Sequence, residues 1–269
     1  MDEQILSDKN LGYRVFDISG GLGAAINSSA VTNKTSYFHR NTGGYHPAKL
    51  QRYQDMLDRH ILPEGQRLLN GLQQATTSET IEPILRGLNV FNMMNTKYFI
   101  YSESGALPNQ SAFGPAWFVN SYKIVDTPNE EIDMLSSINP AETAIINKDF
   151  ESELAGANFL KSGTIELTKY EPDHLTYTSN SASDQLAVFS EVWYGPDKGW
   201  EAYIDGSKVN HLRANYVLRA LKIPSGQHTI EFRFKPRTYA LGGTISLFSS
   251  LLIIFGLLGY IGTLSLIHI

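Results

Sequence analysis

Hydrophobic residues follow three successive rhythms along this chain. The last is the plainest. From Leu241 to Ile261 the sequence reads LGGTISLFSSLLIIFGLLGYI, about twenty-one residues without a charge. A helix rising roughly 1.5 Å per residue would carry that run across the ~30 Å hydrocarbon core of a bilayer. Lys235 and Arg237 stand just before it, and Tyr239 and Tyr260 lie near its ends, where amphipathic rings favour the interface. The run predicts a single transmembrane helix; the competing reading is a buried helix of a soluble domain.

Before that run, back to about Asp149, the period is two. Alternating segments at Thr164–Thr168, His174–Thr178, Gln185–Trp193, Trp200–Ile204, Tyr216–Ile223 and Thr229–Lys235 read as strands separated by turn residues. Asp205-Gly206 is a strong hairpin signal. Such spacing predicts an antiparallel β-sandwich.

The first 150 residues mix both periods. Tyr13–Ile18, Lys97–Tyr101, Ala116–Val125 as one strand, and Thr143–Ile146 read as strands. Helices are predicted from Pro47 to about His60, from Pro83 to Asn95, and from Pro128 to Ser137, the last capped by Asp126 or Thr127. Ser19–Thr35 reads as a flexible loop; the competing reading, a nucleotide-binding loop at GGLGAA, lacks both the GxGxxG pattern and a closing Gly-Lys-Ser/Thr. The predicted fold class is therefore α+β: a mixed α/β domain over 1–150, a β-sandwich over 151–237 and a membrane helix over 238–263.

Composition narrows the chemistry. The net charge of −5 offers no basic face for nucleic acid, and the absence of cysteine excludes disulfides, thiol catalysis and thiolate zinc sites. The N-terminal MDEQILSDKN lacks the basic and apolar regions of a signal peptide. Either the polar part faces the cytoplasm on a tail anchor, or the true N-terminus is missing. The final LSLIHI, residues 264–269, is expected to be adapter-derived. The sequons at Asn27 and Asn33 are read as chance matches.

The most chemically loaded stretch is SYFHRNTGGYHPAKLQRY. Tyr37, His39, Arg40, Tyr45, His46, Lys49 and Arg52 form a candidate patch for a sugar or phosphate group, since rings stack on sugars and guanidinium forks phosphate. The other reading is a polar loop that fixes the entry of a helix. His39 and His46 lack a third ligand at metal spacing, so no metal is expected. Trp193, Tyr194, Trp200 and Tyr203 flank the turn Gly195–Gly199; they either present rings to a sugar, with Trp200 the candidate, or cover the end of the sandwich. Glu130, Glu131 and Asp133 are read as helix-start carboxylates. No nucleophile elbow, HExxH or persuasive carboxylate pair is present, so no catalytic residue and no cofactor are expected.

WYGPDKGWEAYIDGSKVNHLRANYVLRALKIPSGQHTIEFRFKPRTYALG, followed at once by the membrane run, resembles the C-terminal end of the YfhO family of bacterial multispanning membrane proteins. TSYFHRNTGGYHPAKLQRYQDMLDRHI and LNVFNMMNTKYFIY are similar to the same family. The resemblance implies an integral-membrane, GT-C-like glycosyltransferase using polyprenyl-phosphate sugars to decorate a cell-envelope glycopolymer. Its catalytic acidic residue would lie in an early loop of an upstream transmembrane bundle, so none transfers to this sequence. It also implies the bacterial inner membrane as location, with residues 1–240 extracytoplasmic. The basic flank Arg233, Lys235 and Arg237 would by itself argue for the cytoplasmic side. The alternative to a transferase portion is a membrane-anchored carbohydrate-binding or scaffolding module.

Overall fold

Fourteen strands in three sheets, a group of helices and one long C-terminal helix make up the described residues of the computed structural model, which are all except 27–29, 45, 75–76, 155 and 268–269. The architecture is mixed α and β, as the sequence patterns predict.

A small sheet holds β1 (Arg14–Asp17), β2 (Thr96–Ser102) and β3 (Gly105–Pro108), with β1 and β2 parallel. A six-stranded sheet has the order β4 (Ala116–Val119), β9 (Gln185–Val192), β13 (Leu218–Ile223), β12 (Leu212–Ala214), β6 (Thr143–Asn147), β5 (Ser121–Val125). A five-stranded antiparallel sheet has the order β11 (Ser207–Val209), β10 (Trp200–Ile204), β14 (Gly226–Phe234), β8 (His174–Ser181), β7 (Thr164–Tyr170).

The six-stranded sheet is the middle layer, and period two explains how it serves both neighbours. Phe118, Ala187, Phe189, Leu221 and Ile223 face the five-stranded sheet, meeting Leu175, Tyr177, Ala202, Ile230 and Phe232. The alternate residues Trp117, Val119, Leu186, Val188, Leu218 and Ala220 join the core built by Met56, Leu57, Ile61, Leu68, Phe91 and Ile132 from the helices. With both faces covered, β4 and nearly all of β9 and β13 are buried, so their sequences read as apolar runs rather than clean alternation.

That shared layer spans the expected boundary near residue 150. Strands β4, β5 and β6, from the first half, are hydrogen-bonded into the same sheet as β9, β12 and β13. The sandwich predicted over 151–237 is therefore completed by β4. The stretch Ala116–Val125 also divides. Asn120 alone links β4 to β5, which lie at opposite edges of the six-stranded sheet. Six flat strands at ~4.8 Å spacing would part those edges by about 24 Å, far beyond the reach of one residue. The sheet is thus rolled until its edges meet, with Asn120 donating to the Glu142 carbonyl (2.8 Å) and accepting from the Lys161 amide (2.9 Å).

The helices differ in detail from the sequence expectation. The segment 19–35 is helical at Leu22–Ile26 and again from Ala30 in Ala30–Phe38, because buried Ala25 and Ile26 tie a polar, Gly-rich stretch to the core. The helix expected from Pro47 starts at Gln51 and runs to Gln74 through a π turn at Leu57–Ile61. Pro63 stands two residues past that turn; lacking an N–H, it cannot continue a regular ladder, and the widened turn absorbs the mismatch. The helix expected to open at Pro83 begins earlier, as Ser78–Arg86, breaks at Gly87 and resumes as Asn89–Met93.

The helix Pro128–Met134 settles the choice of cap. Thr127 Oγ1 accepts from the Glu130 amide (3.2 Å), while the Glu130 carboxylate receives the amides of Asp126 (3.0 Å) and Thr127 (3.4 Å). Thr127→Ala is expected to lower stability by ~1 kcal/mol in denaturant titration, and Asp126→Ala by less, since its pairing with Lys148 is exposed.

The Asp205-Gly206 hairpin joins β10 to β11, with both turn residues at positive φ (49° and 80°), the conformation that matches strand twist. The final helix, Arg237–Ile267, outruns the expected 238–263. Within its candidate span, Arg237–Leu264, the most apolar 18 residues have mean hydropathy 2.1 and none of them is buried. Apolar side chains such as Leu251, Leu252, Ile253, Ile254 and Phe255 point out on every side, which suits lipid rather than a protein core.

Candidate binding cleft

The end of β12 and the turn that follows it, Arg213-Ala-Asn-Tyr216, organise a chemically loaded concavity. Asn215 and Tyr216 both hold left-handed backbone (φ 48° and 71°), a cost of order 1–3 kcal/mol each that the surroundings must offset. They do so through side chains. Asn215, fully buried, donates its amide to the Ile145 carbonyl (2.8 Å) and accepts the Ile145 amide on Oδ1 (2.8 Å), so it extends the β6–β12 ladder with a side chain.

Glu131 holds the next residue. It projects from the helix Pro128–Met134 into the protein and is wholly inaccessible. Its Oε1 accepts the Tyr216 amide (3.0 Å); its Oε2 accepts from Arg52 (3.1 Å) and Arg213 (3.4 Å). Tyr216 donates its hydroxyl to Asp55 (2.7 Å), and the Arg52 guanidinium lies 4.5 Å from the Tyr216 ring centre. Burial, then the bond to the Asp55 carboxylate, pushes the Tyr216 phenol up to about 12, so it remains a donor. Burial also draws the Arg213 guanidinium down from its ordinary value, with Glu131 opposing. Arg213 is flanked by the rings of Phe150 and Trp193, each 5.4 Å away.

Of these groups, Arg52, Trp193, Arg213 and Tyr216 line a cavity of about 310 Å3 together with Tyr194 and Lys198, whose ammonium lies 5.2 Å from the Tyr194 ring. Three cations, Arg52, Lys198 and Arg213, line the cavity; the neighbouring carboxylates, Glu131, Asp55 and Asp149, stand behind its walls. Trp193 Nε1 and Arg213 Nε are buried donors with no partner among the described residues. A ligand rich in acceptor oxygens would satisfy both.

The cleft also lies beside the root of the span. Gly199, next to Lys198, accepts the Lys235 amide (2.6 Å), and a Cβ on Gly199 would stand 2.9 Å from Pro236 Cα, so only glycine fits at its φ of 116°. Arg237 then begins the long helix.

The patch predicted over Tyr37–Arg52 does not assemble. Only Arg52 reaches the cleft. Residues 40–42 run beside β1, with Val15 donating to the Arg40 carbonyl and Thr42 donating back to that of Val15, so neighbouring side chains go to different surfaces. His39 bonds Asp2 (3.1 Å), and Arg40 sits 3.3 Å over the Tyr170 ring. Tyr37 is exposed against Phe38. His46 Nδ1 accepts the Ala48 amide (3.1 Å), and half-buried Lys49 is pushed down by burial, with Asp58 opposing. Tyr45 lies outside the described residues. Trp200 lies under Arg219 (4.1 Å) and beside Phe234 (5.3 Å), covering the end of the sandwich. Among the described residues no three His, Asp or Glu side chains stand together as metal ligands.

Glu131 escaped the sequence reading because its place near a helix start looks like dipole compensation; Glu130 does that work and Glu131 points inward. Arg213 and Tyr216 carried a signal in the RANY run but no sign of their partners.

Residues 138–246 match the family described as "Bacterial membrane protein YfhO". The match covers β6 to β14 and the first turns of the long helix, and it includes Trp193, Lys198, Arg213 and Tyr216. Comparison with curated proteins found no match.

Proposed function

From the premise that residues 138–246 are a YfhO-family region carried on a candidate membrane span, we propose that this chain is the non-catalytic, extracytoplasmic C-terminal portion of a YfhO-like protein resembling polyprenyl-phosphate-sugar-dependent glycosyltransferases. In this reading it sits in the bacterial inner membrane with residues 1–240 outside, beside an upstream bundle of spans in the same polypeptide. The cleft holds the phosphate-bearing end of a lipid-linked sugar, or of the envelope glycopolymer that receives it.

One observation carries this reading: cations and rings converge on a cleft whose Lys198 wall adjoins the point where the chain turns into its span. A group bound there would lie near headgroup height. Arg52 and Lys198 supply charge, Trp193 and Tyr194 supply ring faces, and the orphaned Trp193 and Arg213 donors supply direction.

The full chain in nanodiscs doped with a polyprenyl phosphate should unfold at higher temperature than in nanodiscs doped with the neutral polyprenol. Lys198→Ala and Arg52→Ala should each weaken apparent affinity for the phosphate about tenfold. Equal shifts with phosphate and alcohol would overturn the assignment.

A further inference from the structure

A second cavity, of about 540 Å3, shares no lining residue with the cleft. It is bounded by the segment 10–13, the turn 109–115 after β3, and residues 165–167 of β7, the free edge of the five-stranded sheet. Its volume falls in the range of small-ligand sites.

Its walls are fixed. Asn109 donates to Asn92 Oδ1 (2.8 Å) and to the Thr96 carbonyl (2.9 Å) and accepts the Ser111 amide (3.1 Å), which pins the start of the turn. Asn95 donates to the Gly12 carbonyl (3.1 Å), tying down the N-terminal segment. The Tyr13 hydroxyl donates to the Ile5 carbonyl (2.8 Å) and its ring meets Tyr98 edge-on at 5.7 Å, which holds it in the wall. Lys97, the cation of the site, is neutralised by Asp8 at 2.5 Å. What remains unengaged is a carboxamide and a carboxylate: Gln110 and Glu166 are exposed and have no side-chain partner among the described residues.

We propose that this cavity binds a neutral, hydroxyl-rich glycan segment. A held aromatic ring and apolar Leu11 suit the C–H face of a pyranose. Gln110 gives and accepts hydrogen bonds and Glu166 accepts them, which matches hydroxyls that do both. With Lys97 cancelled, no cation among the described lining residues is free to draw an anionic ligand, so the chemistry differs from that of the cleft. Nothing here depends on what the cleft binds.

The test is calorimetric titration of the full chain, in nanodiscs of zwitterionic lipid, with three neutral probes: hexamers of β1,4-glucose, α1,4-glucose and N-acetylglucosamine. At least one should bind saturably with Kd below about 1 mM. Gln110→Ala combined with Glu166→Ala should weaken that binding about tenfold without moving the melting temperature, because neither side chain holds the fold. Lys169→Ala, on the same strand but off the cavity, should leave it unchanged. Preloading the nanodiscs with polyprenyl phosphate should not alter the sugar isotherm. No saturable binding by any hexamer, binding indifferent to the double substitution, or competition by the polyprenyl phosphate would each overturn the assignment.

Discussion

Glu131→Gln is expected to destabilise the full chain by about 3–5 kcal/mol, the usual cost of removing one partner from a buried ion pair. Glu131 is wholly inaccessible, and the Arg213 side chain is only 10% exposed, so the guanidinium left behind would be a buried charge without its bonded counterion, opposed only by the weaker field of Asp149. Arg52 would also lose its carboxylate, but it is 30% exposed and water can replace it. Glutamine can still accept one hydrogen bond, for example the Tyr216 amide, so the loss is chiefly one of charge. Arg213→Met alone should also destabilise. Combined with Glu131→Gln it should cost less than the sum of the two, because an apolar side chain leaves no stranded guanidinium. Denaturant midpoints across the double-mutant cycle measure this. Strict additivity, or a Glu131→Gln loss below ~1 kcal/mol, would show that Glu131 is not what holds the turn.

The second large effect lies hidden in the pH dependence of the unmodified chain. Burial pushes Glu64 up to about 7, against the amides of Val90 and Phe91 that its carboxylate accepts at 3.0–3.1 Å. Burial, aided by neighbouring Arg219, draws His211 down to about 4. The signs oppose. Below its ordinary 4.5, Glu64 is protonated folded or unfolded; as pH rises toward 7 the unfolded chain releases a proton the folded chain keeps, so stability falls. Above its ordinary 6.5, His211 is neutral in both states; as pH falls toward 4 the unfolded chain takes a proton the folded chain refuses, so stability falls in that direction instead. Between about pH 4.5 and 6.5 the two slopes, each ~1.4 kcal/mol per pH unit at most, largely cancel. Glu64→Gln should therefore expose a stability that rises with pH by ~2–3 kcal/mol over that window relative to the parent. His211→Asn should expose the reverse. Subtracting the parent curve removes other titrating groups, including His60, which burial also lowers. Variant and parent curves that run parallel would refute both assignments.

Local chemistry made much of the fold legible. The Asp205-Gly206 turn, the alternation of β8 and β14, and the cap before Pro128 are set by residues within a few positions of one another, so the sequence displays them. The cleft is not local. Arg52, Glu131 and Arg213 are 79 and 82 residues apart along the chain, and their meeting depends on two helices packing against the rolled sheet that carries Arg213. The Tyr37–Arg52 patch failed for the same reason in reverse: closeness in sequence does not survive a backbone that sends successive side chains to different faces.

What the sequence determined alone was the solvent of each part. An uninterrupted apolar run suits hydrocarbon, and a period of two suits a sheet with its faces in different surroundings, because transfer free energy depends on composition and local geometry. Tertiary structure decided which strands share a sheet, that one residue bridges two of its edges, and that Glu131 faces inward to two arginines. Those outcomes come from hydrogen bonds and contacts between residues distant in the chain, whose energies exist only once the layers have met.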